Sequence, residues 1–404
     1  MSDVILYLFD DRSARRWAPF TLTRPMGELR YGCLTPRERA QKLFDLPCAG
    51  HLTRAELEGF DEPGAAPVIQ RGDIPAEATR ILLSSRAVPD FQAAPDPGGF
   101  ARLAIGGETV GWILEPGRPL PSDAELRAPA SATGGPVHEL AGEILGRPWH
   151  LVEGTPARVA KDVLELFPDD HKPKGVVRIG KAELSMGPKA EIEPGVVVDT
   201  RKGPVRLDDG ARVEGPARLV GPLYVGRNTT VVGGHVGASS VGAGCKVRGE
   251  VTNSVFLAWV NKAHDGFLGH AMLGRWVNVG AGTMNSDLKN TYGTVRVWTP
   301  DGQEDSGLLK VGCFLGDHVK TGIGTRLNTG LVIGAGSNVF GGGMPPTVVP
   351  PFAWGSGADL ADYRFDQFIR TTEIAMARRG EALTPGVRRV LAHAWQSTRT
   401  RRTV

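Results

Sequence analysis

The sequence predicts a chain in two unlike parts: short strands and helices up to residue 172, then a β-helix of hexapeptide repeats over 173–355, with a helical extension over 356–404. Three observations carry this. Apolar residues recur every six positions at Met186, Ile192 and Val198, then at Leu207, Val213, Leu219, Val225 and Val231. Gly or Pro stands between almost every pair of them, and six is not a helical period, so the pattern is short strands joined by turns. After Trp354 the repeat stops.

The first part opens with Val4 to Phe9, a short β-prone run closed by Asp10 and Asp11 and followed by a turn-rich segment holding Pro19, Thr21, Thr23, Arg24 and Pro25. It reads as a buried strand feeding a functional loop. Leu34 to Phe44 is helical in pattern, with Thr35 as N-cap and Pro36 at the first helical position. Ile81 to Leu83 and Trp112 to Leu114 are further strands, and residues 87–138, rich in Pro, Ala and Gly, read as loops and insertions. Ala157 to Phe167 is an amphipathic helix, and Pro168 to Lys174 a linker.

In the second part each repeat supplies one side of a coil, and the recurring aliphatic stacks on those above and below. One repeat cannot bury its own face, so stability comes from stacking. The interval of nine between Val198 and Leu207 marks an outward loop, and the register returns at Leu327, Ile333 and Val339. A β-sandwich would not repeat at six. From Met284 to Lys310 the coil is interrupted by an arm: Thr294 to Trp298 alternates as a strand, and Asp301-Gly302 is a hairpin turn. Asp359 to Arg379 and Val387 to Trp395 read as helices capping the open end of the coil.

Composition excludes several classes. At 41% hydrophobic and 23% charged the chain is of the soluble globular type, with no apolar run long enough for a bilayer, and a cytoplasmic location is the expectation. A net charge of +3 does not imply nucleic acid, and Arg399, Arg401 and Arg402 read as a solvated tail. Cys33, Cys48, Cys245 and Cys313 lack metal-ligand spacing, which favours reduced thiols.

The chemistry centres on Asn261 to Thr283, NKAHDGFLGHAMLGRWVNVGAGT, where an imidazole, a cation and an amide fall in a glycine-rich coil segment. His264 is the candidate general base, because an imidazole exchanges protons near neutrality without prior tuning. With LKNTYGTV (Leu288 to Val295), LKVGCFLGDHVKTGI (Leu309 to Ile323) and the opening LFDD…LTRP, the chain resembles the bacterial bifunctional N-acetylglucosamine-1-phosphate uridyltransferase/glucosamine-1-phosphate N-acetyltransferase family, in a divergent branch of sugar nucleotidyltransferases.

That resemblance implies an α/β nucleotidyltransferase-like domain, then a left-handed parallel β-helix that trimerises and uses acetyl-CoA. It implies His264 as base toward a sugar amine, Asn278 as a substrate-binding amide and Lys310 as the holder of a sugar phosphate. Phe267 stands where the family has Tyr, Asp287 where it has Asn, with Lys289 or Lys262 to offset the charge, and Thr252 where it has Lys. These differences bear on which acceptor is held. In the N-terminal part the phosphate-cradling glycines are gone: Arg16 stands at the loop Arg, Met26 replaces a Lys, and Ser85-Arg86 replace the Gly-Asp of the metal ligand. Thr23, Arg24 and Arg86 are then the nucleotide-binding candidates, and Asp10 and Asp11 those for Mg²⁺. The expectation is an acetyltransferase acting on a sugar phosphate or nucleotide sugar, joined to a nucleotidyltransferase-like domain whose activity is altered or lost. The alternative is a non-catalytic nucleotide-sugar sensor or scaffold.

Overall fold

The computed structural model describes residues 3–357 and 359–399, so the expected tail residues Arg401 and Arg402 lie outside the described residues. Its first domain is built on a seven-stranded sheet in the spatial order Val68–Ile69, Cys48–Leu52, Val4–Phe9, Thr79–Ser84, Glu108–Leu114, Ala101–Ile105, Val137–Glu139. The first four strands are parallel. Strands buried on both faces need apolar side chains at every position, which is what VILYLF and ILL supply. The helix expected after Thr35 runs Pro36–Phe44 with a full capping box between Thr35 and Glu38. Residues 87–138 depart from expectation. They contain the hairpin Ala101–Ile105 with Glu108–Leu114, because Gly106 and Gly107 both take positive φ and close a tight turn that overall composition hides.

The second domain is a three-faced parallel β-helix. One face stacks Leu184–Met186, Val205–Leu207, Leu223–Val225 and their successors into nine strands, and the other two carry six and five strands before the arm. The six-residue series is its interior: Val198, Leu207, Val213, Leu219, Val225, Val231, Leu327, Ile333 and Val339 share one buried core, with Met186 and Ile192 packed against it. The arm forms the expected hairpin, Arg296–Thr299 with Gly302–Asp305.

Two features escaped the periodicity. First, the nine-stranded face carries consecutive apolar residues, Val255-Phe256, Met272-Leu273, Phe314-Leu315 and Val332-Ile333, so its outward side is apolar too. The N-terminal domain covers that side: Trp17, Phe20, Trp149 and Val152 form one cluster with Val255, Met272, Phe314 and Val332. Second, the helix expected from Asp359 begins only at Phe365 and ends at Ala377. Asp359–Asp362 is instead a strand antiparallel to Ala353–Ser356, because the last coil exposes an unpaired backbone edge that a strand satisfies and a helix does not. The helices Phe365–Ala377 and Pro385–Ser397 pack beside the coil over Phe352, and Val390 reaches Leu57 and Phe60 of the N-terminal domain.

Candidate functional site

The strand Asn261–Lys262 lies between Lys246–Val247 and the isolated pairing at Asn278. The inward position filled by Val213, Val231 and Val247 in successive coils falls here on Lys262. Lys262 is 1% exposed, and its Nζ donates to the carbonyl of Arg248 at 2.8 Å and to that of His264. It therefore grips backbone rather than substrate, a correction to its expected role. An ammonium turned into an aliphatic stack needs acceptors within reach. Burial pushes its pKa down to about 8, against a partial opposing pull from Asp265.

At Lys262 the unfolded chain, with its ordinary lysine pKa, binds more protons between pH 8 and about 10.5, so this residue's contribution to stability rises across that window and its penalty persists in full below it. Burial pushes the thiols of Cys33, Cys48, Cys245 and Cys313 up, which gives a slope of the opposite sign in the same window, so the check is a difference: the stability of the wild type relative to Lys262→Met, from thermal unfolding, should rise across it by on the order of 2 kcal/mol. Lys320, also lowered to about 8 by burial, is common to both proteins and drops out of that difference.

His264 is exposed on the turn that leaves this strand. The next residue's carbonyl accepts from Gly282 N–H at 2.9 Å, so the turn stacks on the following coil. On that coil Asn278 Oδ1 accepts from Asn261 Nδ2 at 2.9 Å. His264 and Asn278 thus sit on adjacent coils. Phe267 opens the next strand, and its ring and the Asp287 carboxylate both close on Gly269, where a Cβ would meet them at 2.5 and 2.7 Å.

Asp287 and Lys310 lie at the far end of that strand. Asp287 Oδ2 bonds His270 Nδ1 at 2.7 Å, and Lys310 pairs through the backbone with Leu288. The Asp287 carboxyl is held below its usual range, first by the hydrogen bond from His270, then by the charges of His270 and Lys310. Phe267–Gly269 separates this corner from the His264 corner by on the order of 10 Å of extended chain. The expected acceptor site is therefore split within one chain, and His270 is a residue the sequence reading missed. Only the coil register could have found it. His270, Asn253 and Ala238 occupy equivalent corners of successive coils, all with left-handed φ of 47–48°. Lys289 is spent on the arm, its Nζ donating to the Thr294 carbonyl.

The N-terminal candidates are differently disposed. Arg24 is buried, with Nη1 and Nη2 on Glu62 at 2.8 and 2.9 Å and Nε and Nη2 on Asp317 at 3.0 and 2.7 Å. Thr23 Oγ1 donates to the same Asp317 oxygen at 2.6 Å. Both residues dock the loop onto the β-helix, because a buried guanidinium needs carboxylates on its donors. Arg86 Nε donates to Asp11 Oδ2 at 2.7 Å, and Asp11 Oδ1 accepts from Ala14 N–H at 2.8 Å. Arg16 stays at a rim, pairing with Asp301 at the arm's tip.

The residues that do line a cleft there are Arg12, Arg15, Arg16, Arg54 and Arg127, around a cavity of about 710 Å³. It adjoins a second cavity of about 330 Å³ walled by Leu22, Trp298, Pro300, Val349 and Pro350. The cleft lies beyond the carboxyl ends of the parallel strands, where open α/β sheets place their ligands. Arg12, Arg15, Arg54 and Arg127 were not singled out from the sequence, since they come from three separate segments that only the sheet assembles.

Residues 6–167 match the family model described as sugar nucleotidyl transferase. That match lies wholly within the N-terminal domain, short of half of the chain. Among curated relatives, a bifunctional sugar-1-phosphate nucleotidylyltransferase/acetyltransferase of Sulfurisphaera tokodaii is 33% identical over 95 residues, 24% of either chain. A bifunctional protein GlmU of Rippkaea orientalis is 29% identical over 153 residues, 32% of this chain and 34% of that one, and a GlmU of Nostoc is 25% identical over 199 residues, 44% and 40%. The chain thus spans about a quarter to two fifths of the length of these relatives. Among solved structures, Arabidopsis UDP-N-acetylglucosamine acyltransferase aligns at a TM-score of 0.28 and 12% identity over 52% of this chain and 80% of its own.

In the N-terminal domain the expected Mg²⁺ ligands do not make a donor set. Asp11 is matched to Arg86, and Asp10 Oδ2 accepts from Thr53 and Met26, leaving Asp10 Oδ1 as the orphaned oxygen. Among the described residues there is no cluster of three metal-ligating side chains, and no helix long and apolar enough to cross a membrane.

Proposed function

We propose that this protein is a cytoplasmic two-domain transferase whose β-helix moves an acetyl group from acetyl-CoA to the amine of a sugar phosphate, and whose N-terminal domain binds a nucleotide or nucleotide sugar. The observation that carries the acyl-transfer reading is His264 standing exposed on the coil next to that of Asn278, with the Asn261–Asn278 bond fixing their register. His264 takes the proton from the attacking amine as the new amide bond forms, and the thiolate of coenzyme A leaves. Backbone N–H groups at the coil corners are the natural donors to the developing oxyanion.

The arginine cleft is the reading for the nucleotide: its lining holds five guanidinium groups, of which Arg16 is paired with Asp301, and one carboxylate, Glu56, an excess of positive charge that suits a chain of phosphates. The protein is proposed to be a homotrimer. Met284, Ile323 and Met344, 53%, 79% and 53% exposed on successive coils, support an apolar face that a second copy would cover.

Thioester cleavage with glucosamine-1-phosphate as acceptor tests the main reading. The wild type should turn over, and His264→Ala should lose about 10²-fold or more in kcat. Equal inertness of both proteins across amino-sugar phosphates would sink it. The second reading, a binding-only N-terminal domain, is favoured by the neutralisation of Asp11 by Arg86. Pyrophosphate release from nucleoside triphosphates with N-acetylglucosamine-1-phosphate would reject that second reading.

A further inference from the structure

Arg24, Arg39, Arg86 and Arg158 each meet a carboxylate at 2.6–2.8 Å. Around the arginine cleft, Arg12, Arg15, Arg54 and Arg127 form no ion pair among the described residues. Arg54 is the most deeply set of the four. It is half-buried, its Nη2 donates to the Thr21 carbonyl, and its buried Nε has no partner. Burial pushes its pKa down, and Glu56 and Asp10 offset only part of that. A guanidinium withdrawn from water with no carboxylate on it is stabilised by whatever anion reaches it.

Arg15, Arg16 and Arg54 line two cavities at once, the cleft of about 710 Å³ and the neighbouring one of about 330 Å³, so they stand at the passage between them. The smaller cavity is of opposite character. Its floor is the outward side of the last coils, where Val332 and Val348 pair across the strands whose next residues, Ile333 and Val349, fill the core. Leu22 of the N-terminal loop and Trp298 and Pro300 of the arm close it from the other sides. It therefore exists only where both domains and the arm meet.

Apart from the three arginines at the passage, Thr21 and Thr398 are the polar side chains of this cavity. Thr398 Oγ1 donates to the Ala394 carbonyl at 2.7 Å, and the Thr21 carbonyl already accepts from Arg54. A nucleobase or a sugar placed there would bury donors and acceptors without partners, whereas a hydrocarbon loses nothing. At roughly 30 Å³ for a water-sized group, the space suits about ten heavy atoms.

We propose that the two cavities form one site for a diphosphate ester with an apolar chain: the phosphates lie among Arg15, Arg54 and Arg127, and the chain enters the cavity over Val348 and under Trp298. This rests on the reading of the cleft as a place for a chain of phosphates, and adds to it a class of ligand whose other end is hydrocarbon.

The test is calorimetric titration of the full chain with geranyl diphosphate, inorganic pyrophosphate and UTP. Geranyl diphosphate should bind about tenfold or more tighter than pyrophosphate, with a more negative heat capacity of binding. Val348→Asn puts an amide on the floor without touching the core, and its unfolding curve verifies the fold. It should abolish the advantage of the chain and leave pyrophosphate and UTP unchanged. Arg127→Gln, at an exposed position, should weaken all three ligands. In the wild type, affinity should rise from dimethylallyl to geranyl diphosphate and then level off at geranylgeranyl diphosphate, because the cavity is full. Pyrophosphate binding with no gain from the chain overturns the proposal and leaves the phosphate cleft standing, whereas no binding of any ligand removes both. An advantage that survives Val348→Asn, or that keeps growing with chain length, places the hydrocarbon elsewhere and overturns it. So does a loss of UTP affinity in Val348→Asn, which would put a base in the cavity.

Discussion

Replacing Arg24 with alanine is expected to destabilise the protein by about 3–5 kcal/mol, the cost of leaving buried carboxylates without their cation. Asp317 and Glu62 both face Arg24 at 2.7–2.8 Å, with side chains 2% and 11% exposed. Asp317 stays ionised despite burial because the charge of Arg24 and hydrogen bonds from Arg24 and Thr23 outweigh desolvation. Arg275 Nη1 also meets Glu62 at 2.6 Å, and the Arg275 N–H donates to Asp317 at 2.7 Å, so the network spans the domain boundary. Urea unfolding is the measurement, with limited proteolysis to detect undocking. A loss under 1 kcal/mol with unchanged proteolysis would mean that the pairing does not hold the domains together. If Arg24 gripped nucleotide instead, the variant would lose ligand affinity and keep its stability.

Phe314→Ala carries the second large effect, about 3–5 kcal/mol for a fully buried aromatic. The repeat alone places Phe314 on the outside of the coil, beside inward Leu315. In the folded chain it is 1% exposed and meets Phe20 edge-on with ring centroids 6.3 Å apart. Thermal unfolding separates the two situations. On a solvated face the substitution would be neutral or mildly favourable; under the N-terminal domain it opens a cavity in the interface.

How legible the molecule was depends on the range of the force involved. The capping box at Thr35, the hairpin at Asp301-Gly302 and the hexad core from Met186 to Val339 follow from neighbours in sequence or from a strict period, so the residues alone determine them. The strand Asp359–Asp362 was misread as helix because its reason for existing is an unpaired edge elsewhere in the chain. The apolar doublets on the nine-stranded face were a readable sign of a covered surface, since a solvated face alternates.

For the site, the sequence by itself determined the chemistry available: an imidazole at 264, an amide at 278, cations at 16, 24, 86, 262 and 310, and carboxylates at 10, 11 and 287. Only the tertiary structure decided which of them are free. It turned Lys262 inward onto two carbonyls, matched Arg24 to Asp317 and Arg86 to Asp11, and joined Asp287 to His270. The physical reason is that charge is compensated through space. A guanidinium, ammonium or carboxylate is committed by whatever the fold brings within about 3 Å of it, and those partners lie up to 293 residues away.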